Sequence, residues 1–284
     1  MERITIVTDS TCNIPSTLVE KYDISIIPLT LLWGDESYLD GIDVDADTFY
    51  RWLQEREEFP TTSQPSVGVF INFFNDVAER LQTDTILGIF VSSKLSGTLA
   101  SATQAKAELP NLNIELLDSA YFSMGLGFQV LIAAQAAEEG MAMDAILERV
   151  HRTRESMKFV FSVDTLEYLH RGGRIGGAAR LLGTMLNLKP LLTIEDGRVE
   201  PLEKVRSRQR SLKRMIEIAE QHLAGRTPTA LAIMQADTQQ EEVDMVAAWV
   251  KERLRPAEIY TVALSPVVGT HSGPGTIGIG YYTE

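Results

Sequence analysis

The sequence predicts an α/β protein of two domains: an N-terminal parallel-sheet α/β/α unit, residues 1–157, and a C-terminal α+β unit, residues 158–284. Three observations carry this. Strand-like and helix-like segments alternate through the first half, the pattern of a parallel sheet covered on both faces. One of those strands, Thr85–Val91, is of the buried type. In the second half two apolar runs, Leu188–Ile194 and Val199–Val205, flank Asp196-Gly197, a strong hairpin signal.

Each element has its own grounds. Arg3–Thr8 reads as a strand, and Pro15 opens a helix after it. Ile24–Leu32 reads as one mostly apolar strand. Asp45, Asp47, Phe49, Trp52 and Leu53 make a helix whose acidic start suits the helix dipole. Ser66 caps a helix with Val67, Phe70, Ile71, Phe74, Val77, Ala78 and Leu81 on one face. After Thr85–Val91, a helix begins at Ser96, a short strand covers Ile114–Leu117, and helices cover Leu126–Glu139 and Ala142–Arg154. Phe159–Val163 opens the second half as a strand, then a short helix and the stretch Arg171-Gly172-Gly173-Arg174-Ile175-Gly176-Gly177. Beyond the hairpin come helix Ser207–Leu223, strand Thr229–Gln235, helix Gln239–Leu254 and strand Glu258–Leu264. A glycine-rich loop, Gly269–Gly275, and a last strand near Thr276–Tyr282 close the chain.

Composition narrows the function. With 44% hydrophobic and 23% charged residues, the 284-residue chain matches an ordinary soluble globular protein with ample length for a core. The start, Met1-Glu2-Arg3-Ile4-Thr5, shows no export signal, and no stretch approaches a membrane span. One cysteine, Cys12, precludes an internal disulfide or a cysteine metal cluster. A cytoplasmic location fits. A net charge of −13 disfavours non-specific binding to nucleic acid or anionic membranes.

In open parallel sheets ligands bind beyond the carboxyl ends of the strands, and hydroxyl-rich segments fall there. They are Asp9-Ser10-Thr11, Ser92-Ser93-Lys94-Leu95-Ser96-Gly97-Thr98 and Asp118-Ser119, with Thr61-Thr62-Ser63-Gln64-Pro65-Ser66 before a helix. Any one of them is adequately explained as a helix cap. Several at one edge can hold a small anionic group through hydroxyls and helix-start amides, which suits a carboxylate. The glycines between Arg171 and Gly177 lack P-loop spacing and serve equally well as a tight turn or an anion loop. His271, among glycines, reads as structural or as ligand-facing. Two dense apolar stretches, Phe122-Met124-Leu126-Phe128-Val130 and Leu181-Leu182-Met185-Leu186-Leu188, are ordinary core or the walls of a tunnel with a polar mouth. No G-x-S-x-G or H-E-x-x-H pattern occurs, so no catalytic residue and no metal site is assigned.

Taken in order, these segments are joined by Thr8-Asp9-Ser10-Thr11, Asp164-Thr165-Leu166-Glu167-Tyr168-Leu169, Leu188-Lys189-Pro190, Lys204-Val205-Arg206 and His271-Ser272-Gly273-Pro274-Gly275. Together they resemble the DegV family of bacterial fatty-acid-binding proteins, which includes the acyl-binding subunits of fatty acid kinase. Each motif is weak alone; their number and order are specific, and the likeness spans essentially the whole chain. It implies a two-domain fold with a buried acyl chain and no cofactor beyond that ligand. It implies that Thr62 and Ser96 hold the carboxylate, with Ser10, Ser93, Arg171, Arg174 and His271 near the head group. It implies a partner kinase that makes the acyl phosphate, for which Arg206 is a docking candidate. Cys12-Asn13 stands where the family often has Ala-Asp, and Ser272 where it often has Thr.

Two other classes stay open on the residues. One is an enzyme acting on a phosphorylated or acylated small molecule with His271 as acid or base. The other is a nucleic-acid module using Lys204, Arg206, Arg208, Arg210, Lys213 and Arg214, against which the acidic balance counts.

Overall fold

The computed structural model describes residues 4–183 and 188–284. Met185 and Leu186 of the second apolar stretch lie outside the described residues. The first half runs β1 (Ile4–Asp9), α1 (Ser16–Lys21), β2 (Ser25–Ile27), β3 (Thr30–Trp33), β4 (Glu36–Leu39) and α2 (Ala46–Glu55). It continues with β5 (Thr61–Ser63), α3 (Val67–Leu81), β6 (Thr85–Phe90), α4 (Thr98–Ala107), β7 (Asn113–Asp118), α5 (Met124–Glu138) and α6 (Met143–Ser156). The second half runs β8 (Lys158–Ser162), α7 (Glu167–Arg171), β9 (Leu191–Glu195), β10 (Arg198–Glu203), α8 (Arg208–Leu223) and β11 (Ala230–Ala236). It ends with α9 (Gln240–Trp249), a π-helical turn at Val250–Leu254, β12 (Glu258–Ala263), α10 (Pro266–Ser272) and β13 (Thr276–Tyr282).

Three sheets result. The first is parallel throughout, in the order β2-β1-β6-β7. A small antiparallel sheet, β4-β3-β5, stands beside it. The third has six strands, β10-β9-β8-β13-β11-β12, in which only the β11–β12 pairing is parallel. This is the α/β class with an α+β second half.

Packing explains the layers. Every residue of β6 is buried, as a central parallel strand covered on both faces requires. One face of that sheet meets α3 and α4 through Phe70, Phe74, Ile86 and Phe90. The other meets α5, whose residues Met124–Ala134 are all buried. A helix apolar all round belongs in a core, and α5 contacts β1, β6 and β13. Its cluster is continuous with Phe159, Phe161 and Met234 on the inner face of the six-stranded sheet. The outer face of that sheet packs on α8 and α9 through Leu212, Met215, Ile216, Ile233 and Ile279.

The sequence reading is corrected at several places. Ile24–Leu32 is not one strand. Pro28 cannot donate to a ladder, so the chain leaves the parallel sheet after Ile27 and enters the small sheet at Thr30. Thr61-Thr62-Ser63, placed by the sequence only before a helix, forms a strand, with Thr62 opposite Leu31. The helix expected from Ser96 begins at Thr98, because Ser96 accepts the Thr98 amide from outside it. Gly269 lies within α10, so His271 stands on a helix and not in a loop. A side chain at Gly269 would place its Cβ 2.4 Å from the Tyr50 hydroxyl, so glycine here permits α10 to seat against α2.

Candidate functional site

The carboxyl ends of β1 and β6 are tied by a buried carboxylate. Asp9 accepts the Thr11 amide at 3.0 Å, the Thr11 hydroxyl at 2.6 Å and the Val91 amide at 2.8 Å. Burial raises its pKa above the ordinary value despite those donors. This latch fixes where the two loops leave the sheet, and a cavity opens beside them.

The cavity, mouth included, takes up about 660 Å³. Both halves line it. Leu29, Val91, Leu95 and Phe122 from the first half face Phe161, Leu169, Val199, Val267 and Val268 from the second. The polar lining is Thr11, Thr62, Gln64, Ser96, Arg174, His271 and Ser272, with no acidic side chain among the lining residues. A narrow, largely apolar space shares Phe122 and Phe161 with it and adds Phe159, Met234 and Leu264.

Four of the residues singled out in the sequence meet here: Thr62, Ser96, Arg174 and His271. The Thr62 hydroxyl lies 2.8 Å from His271 Nε2. Ser96 Oγ sits 2.8 Å from Thr98 Oγ1. Arg174 donates Nε to the Leu95 carbonyl at 2.9 Å and Nη1 to the Gly172 carbonyl at 2.7 Å, so it holds the loop that carries Ser96.

Burial, helped by the charge of Arg174, pushes the His271 pKa down to about 4. The ring is therefore neutral near pH 7 and carries one proton. Its Nδ1 is buried without a partner. A buried bare N–H costs more than an unused ring acceptor, which places the proton on Nε2. His271 then donates to Thr62 Oγ1, and the Thr62 hydrogen is left to point elsewhere, as a donor into the cavity.

The remaining sequence candidates lie outside the cavity lining. Ser10 donates to Asp40 Oδ2 at 2.6 Å and accepts the Leu29 amide at 3.1 Å, tying β1 to the small sheet. Ser93 bonds Asp118 across the sheet edge. Arg171 pairs with Glu167 at 2.7 Å and stacks 3.9 Å from the Phe59 ring centroid. Arg206 is exposed. Of the two apolar stretches, only Phe122 lines the main cavity among the described residues. Met124, Leu126, Phe128, Val130 and Leu181 are core, while Leu182 is exposed. Sequence reasoning missed Thr11, Gln64 and Ser272 as lining residues. All three lie inside segments it had marked.

The whole of this architecture has relatives. A family model described as "Uncharacterised protein, DegV family" matches residues 3–284. The chain belongs to the DegV family. A DegV domain-containing protein of Clostridium perfringens is 35% identical over 99% of both chains. Among solved structures, a DegV family protein from Thermus thermophilus, described by its fatty acid binding, is 34% identical with a TM-score of 0.93. It covers 99% of this chain and 100% of its own. DegV of Bacillus subtilis, a fatty acid binding protein, is 29% identical with a TM-score of 0.91 over 100% of both chains. Both DegV structures align over the two halves together, so the cavity between the halves falls within the shared fold. Among the described residues, no group of three or more His, Cys, Asp or Glu is placed to hold a metal ion. Nor is any helix of the described residues long and apolar enough to cross a membrane.

Proposed function

We propose that this chain binds one long-chain fatty acid in the cavity between its halves, in the cytoplasm, and presents the carboxylate to a separate kinase for acyl-phosphate formation. The observation that carries the binding reading is the lining itself: a long apolar wall with uncharged donors, one cation and no acid gathered on it. Thr62 and Ser96 take the carboxylate, with His271 orienting Thr62. The tail runs toward Phe122 and Phe161 and the narrow space beyond them. Burying roughly sixteen carbons gives ~12 kcal/mol gross, from which ordering and association remove several. Most of the affinity thus comes from the tail, while the donors add a smaller share and set the orientation. The division of the chain at residue 157 belongs to the same reading, since every strand of the first two sheets ends by Asp118 and every strand of the third begins at Lys158 or later.

The test is direct. Purified protein extracted with organic solvent is expected to release about one fatty acid per chain, identified by mass spectrometry. Delipidated protein that stays ligand-free in native mass spectra after incubation with palmitate would sink the proposal.

The kinase reading rests on the mouth. A phosphate added there needs donors such as Arg174, or Arg171 after it leaves Glu167. Lys204, Arg206, Arg210 and Lys213 are exposed and can steer an acidic partner, whereas Arg208 and Arg214 are engaged by Glu242, Glu203 and Glu217. In a coupled assay with a cognate fatty acid kinase, Arg206→Ala is expected to weaken the association in a salt-dependent way. His271→Ala, which frees the Thr62 hydroxyl from its bond to the ring, is expected to weaken fatty-acid binding and to slow phosphorylation. Wild-type rates for both variants would return these residues to structural roles. Chemistry by the chain alone is the weaker reading, because a histidine with a pKa of about 4 is a poor general base near pH 7.

A further inference from the structure

Two hydroxyl groups around α10 are absorbed by the backbone. Thr270 donates to the Pro266 carbonyl at 2.9 Å, the usual back-bond of a helical threonine. Thr276 donates to the Ser272 carbonyl at 2.8 Å. Ser272 is not, nor is Ser265 just before the helix, which lies outside this cavity. The Ser272 side chain is 5% exposed, its Oγ has no hydrogen-bond partner, and it lines the cavity. Serine this late in a helix has a backbone carbonyl one turn back within reach, yet its hydroxyl does not take it. Of the described residues with a buried, unpartnered side-chain atom, only His271 and Ser272 line this cavity. For His271 the orphan is a ring acceptor packed against Gly172, which costs little. For Ser272 it is a hydroxyl whose donor and acceptor capacity are both unmet in a largely apolar space.

Position says what the hydroxyl is for. Val268 and Ser272 are one helical turn apart, as are Val267 and His271, and all four line the cavity. Two stripes of α10 therefore run along it, apolar toward the start of the helix and polar at its end. Ser272 closes the second stripe beside His271, which is bonded to Thr62. A carboxylate has two oxygens and about four acceptor sites, and Thr62 and Ser96 fill at most two of them.

We propose that Ser272 is a third donor to the carboxylate of the bound ligand, left unpaired in the empty protein so that the ligand satisfies it. This rests on the fatty-acid reading above. Its signature separates it from a structural serine. Removing an unpaired buried hydroxyl relieves the ligand-free protein, whereas removing a structural one weakens it. Delipidated Ser272→Ala is therefore expected to melt at or above the temperature of delipidated wild type, while binding palmitate about tenfold or more weakly. The experiment pairs a thermal melt of both delipidated proteins with a palmitate titration of each. Palmitate affinity equal to wild type would overturn the assignment and leave the fatty-acid reading intact. A lower melting temperature alongside weaker binding would overturn it too, by showing that the hydroxyl supports the fold or an ordered water. Wild-type protein that binds no palmitate would overturn both readings together.

Discussion

Gly172→Ala is expected to weaken fatty-acid binding about tenfold or more while leaving a folded protein. A Cβ at this position would sit 2.1 Å from His271 Nδ1 and 3.1 Å from the Tyr168 carbonyl. The backbone tolerates alanine here, since Gly172 has a helical φ of −72°. What yields is the imidazole, which is confined between Gly172 and its 2.8 Å bond to Thr62. Overpacking of this kind costs roughly 1–3 kcal/mol of stability. Binding weakens as well, because a displaced ring no longer holds the Thr62 hydrogen toward the cavity. Gly173→Ala is the control. Gly173 has a φ of +69° and nothing within 4 Å of a Cβ, so alanine pays backbone strain alone, about 1–2 kcal/mol. Palmitate titrations and melts of the two variants check this. Gly172→Ala should lose both affinity and stability, and Gly173→Ala should lose stability only. Equal affinity in both would detach His271 from ligand binding.

The same glycine pair shows what a sequence displays and what it conceals. Arg171–Gly177 announces a tight turn, but nothing in it says that one glycine accommodates a histidine about a hundred residues away. Parallel strands were legible because buried apolar runs and hydroxyl-rich strand ends each follow a local rule. The segments that carry Thr62, Ser96, Arg174 and His271 stood out locally, the residues themselves through the resemblance to the DegV family, and the fold brings them to one cavity. The missed features are those where a local signal was outweighed by a louder one. Pro28 was hidden in an apolar run, although its missing N–H ends the parallel ladder. Ser265-Pro266 marked the start of α10, yet the glycines that follow it suggested a loop. Gly34-Asp35, between Trp33 and Glu36, is a two-residue hairpin turn with φ of +59° at Gly34, and it makes β4 readable in retrospect. Ser10 and Ser93 have the residue type and place of ligand donors, and only the partners Asp40 and Asp118 reveal that they brace the loops instead. Side-chain destination is a tertiary fact, and no spacing encodes it.

Acid is expected to expose a balance between two buried groups on opposite ends of α10. His271 falls from its ordinary 6.5 to about 4 through burial and the nearby Arg174. Asp40 rises from its ordinary 3.8 to about 6 through burial, although it accepts Ser10 Oγ and the Val267 amide. Stability increases with pH wherever the unfolded chain binds more protons. Between about pH 4 and 6.5 the unfolded chain protonates His271 and the folded one does not, so acidification through that range costs stability, up to about 3 kcal/mol. For Asp40 the sign reverses. Between about pH 3.8 and 6 the folded protein keeps a proton that the unfolded chain has lost, so acidification gains up to about 3 kcal/mol. The two contributions nearly offset in the wild type. Removing either one should unmask the other. Asp40→Asn is expected to lose stability more steeply than wild type from about pH 7 to about pH 4.5, and His271→Gln less steeply or with a gain. Urea denaturation of the three delipidated proteins at both pH values measures the difference, with shared background titrations cancelling. Parallel pH profiles would mean that neither group carries the shifted proton, and the neutral His271 that holds Thr62 toward the cavity would lose its basis.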